Sequence, residues 1–496
     1  MALVTTDAFD LVIRNAQVVT AADVFMCDIG VRDGRIAALG EALAAGVREI
    51  DAAGRHVTPG GVDAHCHLDQ PMTGPTRMAD DFWTGTRSAA CGGTTTVIPF
   101  AAQAKGGSLE AAVVDYHHRA EGKASVDYGF HLIVSDPTPE VLEVELPRLI
   151  AAGHTSFKVY MTYEDLKLND TQMLDVLLVA RTHGAIAMIH AENSDAIAWL
   201  TRRLEEAGKV APRYHATSRP MLIEREAAHR AISLAELVDV PILIVHVSGR
   251  EAVEQIRWAR NRGLKVFAET CPQYLFLTAD DLGIDDSYEG AKCVCSPPPR
   301  DAANQQVIWD GLADGLFTVF SSDHAPYRYD GDDGKHVGGE EVEFRHVPNG
   351  IPGLETRLPL LFSEGVLAGR LTPQRFVELT STAPAKAYGL HPRKGTIAIG
   401  SDADLVIWDM KDVTITNAAL HHDVDYTPYE GMKLKAWPAY TLLRGEVVWD
   451  GKDCLAVQGQ GRFLKRGRPT LLPQPAAGGA GVTGRGHGLF TGLVDA

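Results

Sequence analysis

The chain has 496 residues, of which 45% are hydrophobic and 22% are charged, a composition typical of a soluble globular protein with a large core. Its net charge of -17 comes from scattered acidic residues and argues against nucleic acid or an anionic membrane surface as a partner. No apolar stretch reaches the length of a membrane span, the N-terminus lacks a secretion signal, and seven scattered cysteines predict free thiols in a reducing cytoplasm.

The N-terminal residues 1–57 contain short alternating apolar runs, at 10–19 and 29–36, which are broken by Gly and Asp turns. No long helical pattern follows them. Alternating runs of this length predict β-strands. We therefore expect residues 1–57 to form the N-terminal part of a small β domain.

From about residue 56 to 390, β-branched runs of strand length alternate with amphipathic stretches of helix length. The predicted strands are 56–67, 94–100, 128–135, 155–161, 185–192, 241–247, 264–271 and 317–324. Helices are predicted between them, for example at 108–122, 171–183, 220–237 and 251–262. Eight alternating units predict a fold of the α/β class, a (β/α)8 TIM-like barrel over residues 58–392.

Residues 393–466 return to the style of the N-terminus, with strands predicted at 404–408 and 440–448. This similarity predicts that both termini build one small β-sandwich domain beside the barrel. Residues 467–496 are rich in Pro and Gly, which predicts an extended tail rather than a packed element.

Histidines stand at the ends of three predicted barrel strands, where barrel enzymes carry their active sites. His65 and His67 close the first strand, and their spacing points both side chains to the same face. A His-x-His pair arises easily by chance among 19 histidines, but its place after an apolar strand favours a metal site. His190 and His246 close the fifth and sixth strands. A lone histidine there is usually a core residue, whereas two beside a His-x-His pair favour metal binding.

Lys158 lies inside the run TSFKVYM, which otherwise reads as a buried strand. Lysine is almost never fully buried without a partner, so it extends its amine to solvent, pairs with a barrel carboxylate, or reacts. Burial lowers the pKa of a lysine, and the neutral amine can combine with carbon dioxide to give a carbamate. The two oxygens of a carbamate can bridge two cations.

Asp323 follows the eighth predicted strand, in the sequence SSDHAP. It is either a helix cap or ion-pair partner, or a metal ligand that moves a proton from water to a leaving nitrogen. His421 and His422 lie in a loop-like stretch without partner ligands and are interpreted as surface residues.

The chain resembles the dihydropyrimidinase/D-hydantoinase family of the amidohydrolase superfamily. The matching stretches span residues 10 to about 465 and read PGGVDAHCHLDQP, DDFWTGTRSAACGGTTTVIPF, SFKVYMTYED, IHAEN, IVHVSG, AETCPQYLFLT, CSPPPR, FSSDHAPY and GTIAIGSDADLVIWD. The resemblance implies an enzyme, a cyclic amidohydrolase that opens a 5,6-dihydropyrimidine or hydantoin to an N-carbamoyl amino acid through a hydroxide shared by two metal ions. It also implies a homotetramer whose C-terminal tail contacts a neighbour.

Six residues match the family's metal ligands: His65, His67, Lys158, His190, His246 and Asp323. The resemblance implies that the His-x-His pair and the aspartate bind the more buried of two divalent ions. The other two histidines bind the more exposed ion, and the lysine, carboxylated on its side-chain nitrogen, bridges both. Zinc is the expected metal, although manganese or cobalt suits the same ligands.

Three further residues match positions that act on the substrate. The resemblance implies that the hydroxyl of Tyr163 stabilises the developing oxyanion, and that Asp323 passes a proton to the ring nitrogen. Backbone groups at Ser296 and Asn349 are expected to hold the cyclic amide or imide ring.

Two other functions remain open at this point. A hydrolase of allantoin or a simple cyclic imide would use the same metal ligands, although GTRSAACGGTTTVIPF and Tyr163 favour the dihydropyrimidinase side. A non-catalytic scaffold of the same fold would have lost metal ligands, whereas all six positions are filled here.

Two loops depart from the pattern expected for large aryl substrates. Gln70 and Arg77 follow the His-x-His pair, and EDLKLND follows Tyr163, which predicts a small or polar ring substituent. The long glycine-rich loop 325–348 is either a mobile rim of the site or a plain surface excursion.

Overall fold

The computed structural model describes residues 8–72 and 74–472, so most of the predicted tail lies outside the described residues. The strands are β1 (Phe9–Val19), β2 (Val24–Arg32), β3 (Arg35–Gly40), β4 (Gly46–Asp51), β5 (His56–Pro59), β6 (Gly61–Asp63), β7 (Thr94–Val97), β8 (Phe100–Ala102), β9 (Asp127–Tyr128), β10 (His131–Ile133), β11 (Ser156–Tyr160), β12 (Ile186–His190), β13 (Ile242–Ile244), β14 (Val266–Thr270), β15 (Val319–Phe320), β16 (Leu405–Asp409), β17 (Val413–Thr414), β18 (Lys433–Leu434), β19 (Trp437–Leu443) and β20 (Glu446–Trp449).

The α-helices are α1 (Phe82–Cys91), α2 (Leu109–Ala120), α3 (Leu146–Ala152), α4 (Asp170–His183), α5 (Ser194–Glu206), α6 (Tyr214–Ser218), α7 (Met221–Val238), α8 (Arg250–Asn261), α9 (Gln273–Phe276), α10 (Ala302–Ala313), α11 (Arg357–Leu361), α12 (Pro373–Val377) and α13 (Ala383–Ala387). The four helices predicted as examples correspond to α2, α4, α7 and α8. The residues at the two ends of α4 explain why its boundaries can be predicted from the sequence. Asn169 and Gln172 form a capping box at its start, and Gly184 ends it with a φ of 69°. Among the described helices, none is both long and apolar enough to cross a bilayer.

Both ends of the chain contribute to one eight-stranded β-sheet. The central strand β1 pairs antiparallel with β2 and parallel with β4 and β5. Strand β5 then pairs antiparallel with β16, which continues through β19 to β20. Apolar side chains such as Leu11, Ile13, Ile29 and Leu405 form a buried cluster on this sheet. The predicted small β domain built from both termini is therefore confirmed, whereas the boundaries at 57, 392 and 466 stay predictions.

The strands from β6 to β15 form the parallel barrel. Seven of them lie in the order β15-β14-β13-β12-β11-β10-β8, and β6, β7 and β9 form a second parallel sheet. The second and third barrel strands are each divided, into β7 and β8 and into β9 and β10, with Pro99 and Gly129 in the gaps. A parallel bridge between Cys66 and His324 joins the last strand region to the first. The predicted (β/α)8 barrel is confirmed.

The first predicted strand, 56–67, is wrong as a single element. Its first part is β5 of the small sheet, and its second part is β6 of the barrel. Gly60 separates them, and a Cβ atom at this position would lie only 2.2 Å from the side chain of Thr95. Only glycine fits where the chain passes from one sheet to the other.

A buried lysine joins the barrel to the small sheet. The ammonium of Lys394 lies 2.7 Å from Asp127 of β9, 3.0 Å from Asp402 and 2.6 Å from Asp404. Arg444 also pairs with Asp127. All three carboxylates and the lysine are at most 4% exposed, so each charge depends on the others for compensation.

We expect Lys394→Met to destabilise the protein by about 3–5 kcal/mol, because it leaves buried carboxylates without their central cation. Thermal unfolding followed by circular dichroism would measure the loss as a fall in Tm. The control is Lys411→Met, which removes a half-exposed ion pair with Asp409 and should cost less than about 1 kcal/mol. Equal Tm values for the two variants would contradict the assignment.

Candidate metal centre and active site

The first group of candidate ligands gathers where the barrel closes. His65 and His67 follow β6, and Asp323 follows β15. The Asp323 Oδ1 atom lies 3.2 Å from His65 Nε2 and 3.6 Å from His67 Nε2. One ligand atom from each residue falls within 4.8 Å of the others. The geometry fits one cation shared by two imidazoles and a carboxylate.

Lys158 lies on β11 with 1% of its surface exposed. Its Nζ atom is 2.7 Å from His65 Nε2, and burial lowers its pKa to about 8. The rings of Phe100 and Tyr160 pack 4.6 and 4.8 Å from the same nitrogen. The predicted burial of this amine among the candidate ligands is confirmed, so the lysine side chain does not extend its amine to solvent.

His190 and His246 stand side by side on the neighbouring strands, with ring centroids 4.4 Å apart. Both ring nitrogens of His246 are buried without a hydrogen-bond partner. Such orphaned polar atoms are rare in protein interiors and need an explanation. A metal ion would satisfy one of these nitrogens, so the residues present fit a second divalent cation.

Three predicted site residues have a backbone conformation that side chains rarely adopt. The φ angles are 38° at His246, 48° at Asp323 and 66° at Tyr163. Each residue of this kind costs on the order of 1–3 kcal/mol, which surrounding contacts must offset. Three of the ten described non-glycine residues with a positive φ thus lie at the site, and strained residues at strand ends are typical of active sites.

A carboxylate and an amide behind two of the histidines fix their orientation, a role that the sequence did not reveal. Glu269 on β14 is 2.6 Å from His65 Nδ1, which leaves Nε2 directed at the candidate metal position. The Oε1 atom of Gln70 is 2.7 Å from His67 Nδ1 in the same way. Glu269 lies two residues before the end of the seventh predicted strand, within AETC, and this position is the signal that the sequence offers.

His190 has an equivalent partner in Glu192. The Glu192 Oε2 atom lies 2.7 Å from His190 Nε2 and accepts a hydrogen bond of 2.8 Å from Arg219. Burial opposes ionisation of Glu192, but Arg219 and His190 hold its pKa at about 2. The sequence IHAEN contained Glu192, whereas nothing in the sequence linked the distant Arg219 to this site.

The ionisation of Asp323 is set by its neighbours. Burial alone would raise its pKa, but the charge of His65 and a hydrogen bond from His67 hold the pKa at about 2. The carboxylate is therefore ionised near neutral pH.

A cavity of about 370 Å³ opens above these side chains. Tyr163, Ser296 and Asn349 all line it, so the structure brings together the three residues predicted to contact substrate. The Tyr163 hydroxyl accepts a 3.3 Å hydrogen bond from Asn349 Nδ2, and its ring lies 5.5 Å from that of His190.

The side chains that line the cavity are of mixed character. The Oε1 atom of Gln70 contacts His67, and Arg77 is not among the described residues that line the cavity. Apolar and aromatic groups form one part of the lining (Met72, Met78, Leu166, Tyr327 and Val347), and polar groups form another (Gln70, Thr76, Arg345 and His346). The small or polar ring substituent predicted from the loops therefore stays a prediction.

Lys335 anchors the loop 325–348, whose last residues line the cavity. Its fully buried amine donates hydrogen bonds to the carbonyls of Val294 at 3.0 Å, Pro348 at 2.5 Å and Gly350 at 2.8 Å. Pro348 and Gly350 flank Asn349. One lysine therefore fixes the two segments that carry the candidate ring-binding residues, and the loop is a rim of the site rather than a plain surface excursion.

Comparison with known families defines the class of protein. The sequence model of the Amidohydrolase family matches residues 56–448, and that of the Urease alpha-subunit N-terminal domain matches residues 1–55. The first match covers most of the chain and contains all six candidate ligands. The fold and the donor set are therefore those of a metal-dependent amidohydrolase.

Individual relatives narrow this class. The chain is 45% identical over 459 residues to the D-hydantoinase of Ralstonia pickettii. This alignment covers 92% of the chain and 99% of that protein. The dihydropyrimidinase of Brevibacillus agri is 43% identical with a TM-score of 0.89, covering 92% and 98% of the two chains. The L-hydantoinase of Arthrobacter aurescens is 30% identical with a TM-score of 0.82, covering 92% and 100%. The chain belongs to the dihydropyrimidinase/D-hydantoinase family, and it is a cyclic amidohydrolase.

We expect Lys335→Met to lower the Tm, because it leaves the carbonyls of Pro348 and Gly350 without this donor, at about 1–3 kcal/mol for each group left unsatisfied. The Val294 carbonyl keeps its hydrogen bond from the backbone N–H of Gly350. Differential scanning calorimetry would measure the shift. Lys292→Met is the matched control, since it removes a partly exposed pair with Glu289 and a contact with the ring of Tyr329, both outside the hydrogen bonds of Lys335. A Tm for Lys335→Met equal to that of the control would show that the amine does not hold these segments.

Proposed function

We propose that the protein opens a hydantoin or 5,6-dihydropyrimidine ring to an N-carbamoyl amino acid with the help of two divalent metal ions. The observation that carries the proposal is the convergence of four imidazoles, one buried amine and one carboxylate beneath a cavity of about 370 Å³. Relatives with this family's fold are named as hydantoinases and dihydropyrimidinases, which supports a cyclic ureide as substrate.

The ligand positions support two adjacent ions. His65, His67 and Asp323 would hold the more buried one, and His190 and His246 would hold the other. When bound, such ions supply an activated water as nucleophile and polarise a carbonyl. Nitrogen and oxygen donors of this kind suit zinc, which we propose as the metal.

Lys158 would bridge the two positions as a carbamate. Its neutral amine would attack the carbon of carbon dioxide, form the N–C bond and lose one proton. The resulting anion would replace a cationic amine that otherwise lies 2.7 Å from His65. An anion at this point also offsets the positive charge of two cations, since Asp323 is the one carboxylate among the six proposed ligands.

The remaining proposed residues act on the ring. The Tyr163 hydroxyl would donate a hydrogen bond to the developing oxyanion, for which Asn349 holds it in place from 3.3 Å. Backbone groups at Ser296 and Asn349 would orient the cyclic amide. Asp323 would accept the proton of the attacking water and pass it to the ring nitrogen that leaves.

One part of the cavity wall is apolar, which supports a preference for an apolar ring substituent. Met72 and Met78 stand on one loop, and Leu166 and Val347 stand on two others. An apolar group placed between them would be withdrawn from water, and flexible methionines adapt to its shape.

Two further properties belong to this proposal. All seven cysteines are free, which supports a reducing cytoplasm as the location. We propose a homotetramer from the resemblance to the family, which light scattering on the purified full-length chain would test.

A substrate panel tests the proposed function. We expect hydantoins with an apolar substituent at the ring carbon to exceed allantoin and succinimide in kcat/KM by about 10-fold or more, since contacts to an apolar group are worth this much. Ring opening can be followed by the change in ultraviolet absorption. Faster turnover of allantoin or succinimide would overturn the substrate assignment and favour another cyclic amide.

We expect Lys158→Ala to lose most bound metal and to lower kcat/KM by more than about 100-fold. Loss of a residue that only supports a metal ligand costs up to about 100-fold, and loss of a bridging ligand should cost more. Short carboxylic acids added to the variant should restore part of both, because they replace the bridging anion. Metal analysis and activity would be measured on the same sample. Lys167→Ala, which removes an amine paired with Glu164, is the control. Full activity of Lys158→Ala without added acid would contradict the carbamate.

A further inference from the structure

A second group of possible metal ligands lies outside the active site. Cys91 is the last residue of α1, Glu355 follows the eighth barrel strand, and His421 lies between β17 and β18. One ligand atom from each falls within 4.8 Å of the other two. Of the described residues that line the active-site cavity, none belongs to this group.

Glu355 organises the group from within. It is 2% exposed, and its Oε2 atom accepts a 2.8 Å hydrogen bond from the backbone N–H of His421 and a 3.2 Å bond from Ser88 Oγ. Its Oε1 atom lies 2.9 Å from His421 Nδ1. The interpretation of His421 as a surface residue is therefore wrong, since only 24% of its side chain is exposed. Its partner is distant in sequence, so the local pattern could not reveal it.

Cys454 adds a second thiol to this group. It follows β20, where its backbone forms a bridge with Trp449, and its thiol shares a hydrogen bond with that of Cys91. Its side chain packs against the apolar cluster that contains Cys91. Two thiols, a carboxylate and an imidazole therefore lie in one region, and the Cys454 sulfur is outside the set of three ligand atoms that lie within 4.8 Å of one another.

We propose that Cys91, Glu355, His421 and Cys454 bind a thiophilic divalent cation of the zinc type. Sulfur, nitrogen and oxygen donors in a set of four are the ligands that zinc takes in closed tetrahedral sites. Ligand atoms around such an ion lie roughly 3–4 Å apart, so Cys91, Glu355 and His421 need a small inward movement, and the Cys454 side chain must turn toward them to complete the set. As each metal–sulfur bond forms, the thiol releases its proton to solvent.

The four ligands come from four separate parts of the chain. Cys91 belongs to the first barrel helix, whereas Cys454 lies five residues after β20, the last strand of the small sheet. An ion bound by both therefore links the barrel to the C-terminal region. The site is structural, because its residues are separate from those that face the active-site cavity.

Cobalt substitution separates this site from the active centre. Full-length protein is freed of metal, loaded with Co²⁺ and examined for the near-ultraviolet absorption of a cobalt–thiolate bond. The proposed ligands of the active centre are nitrogen and oxygen atoms, so only the new site should give this band. We expect the band in the native protein and its loss in Cys454→Ser, together with ~1 equivalent less zinc per chain and unchanged ring opening.

Controls test whether the band belongs to these thiols. Cys27→Ser alters a buried thiol of the small sheet, and Cys295→Ser alters the thiol that lines the active-site cavity, so both should retain the band. His421→Gln keeps both thiols and should weaken cobalt binding at the site. Absence of the band from the native protein, its persistence in Cys454→Ser, or a Cys91–Cys454 disulfide that takes up no ion after reduction would each overturn the proposal.

Discussion

The contact between the buried amine of Lys158 and His65 Nε2, 2.7 Å apart, is the constraint on which the site depends. The amine donates to this nitrogen where water is excluded, and burial lowers the pKa of both groups. Burial of a charged amine is costly. The proposed carbamate would replace that charge with an anion, and the proposed metal ions would lie between the ligands. The other contacts of the site support the same proposal.

Carboxylates that contact the histidine ligands, rather than the ligands themselves, hold the imidazoles in position. Glu269 turns one nitrogen of His65 inward, and Glu192, held by Arg219, does the same for His190. Partners of this kind fix the tautomer and the direction of an imidazole and raise its basicity as a ligand. The backbone strain at His246 is stable only because both adjacent strands are tied into the barrel.

Much of this arrangement could be predicted from the sequence, since it depends on local patterns. Strand periodicity placed the ligands at strand ends, and the barrel brings strand ends together whatever the loops do. The division of the first predicted strand could not be predicted in this way. It depends on the contact of Gly60 with Thr95, which are distant in sequence. Arg219 and the pairing of Glu355 with His421 were missed for the same reason.

The loops around the cavity show that the residue types in a loop do not by themselves predict which atoms face the cavity. Gln70 is polar, yet its oxygen serves His67 and is withdrawn from substrate. Lys335 is a basic residue, yet its amine donates hydrogen bonds to three backbone carbonyls beside the cavity. Where polar atoms satisfy one another in this way, apolar neighbours such as Met72 and Val347 make up part of the cavity wall. Specificity therefore depends on which atoms remain unpaired at the cavity wall, and that is a property of the fold rather than of the loop sequence.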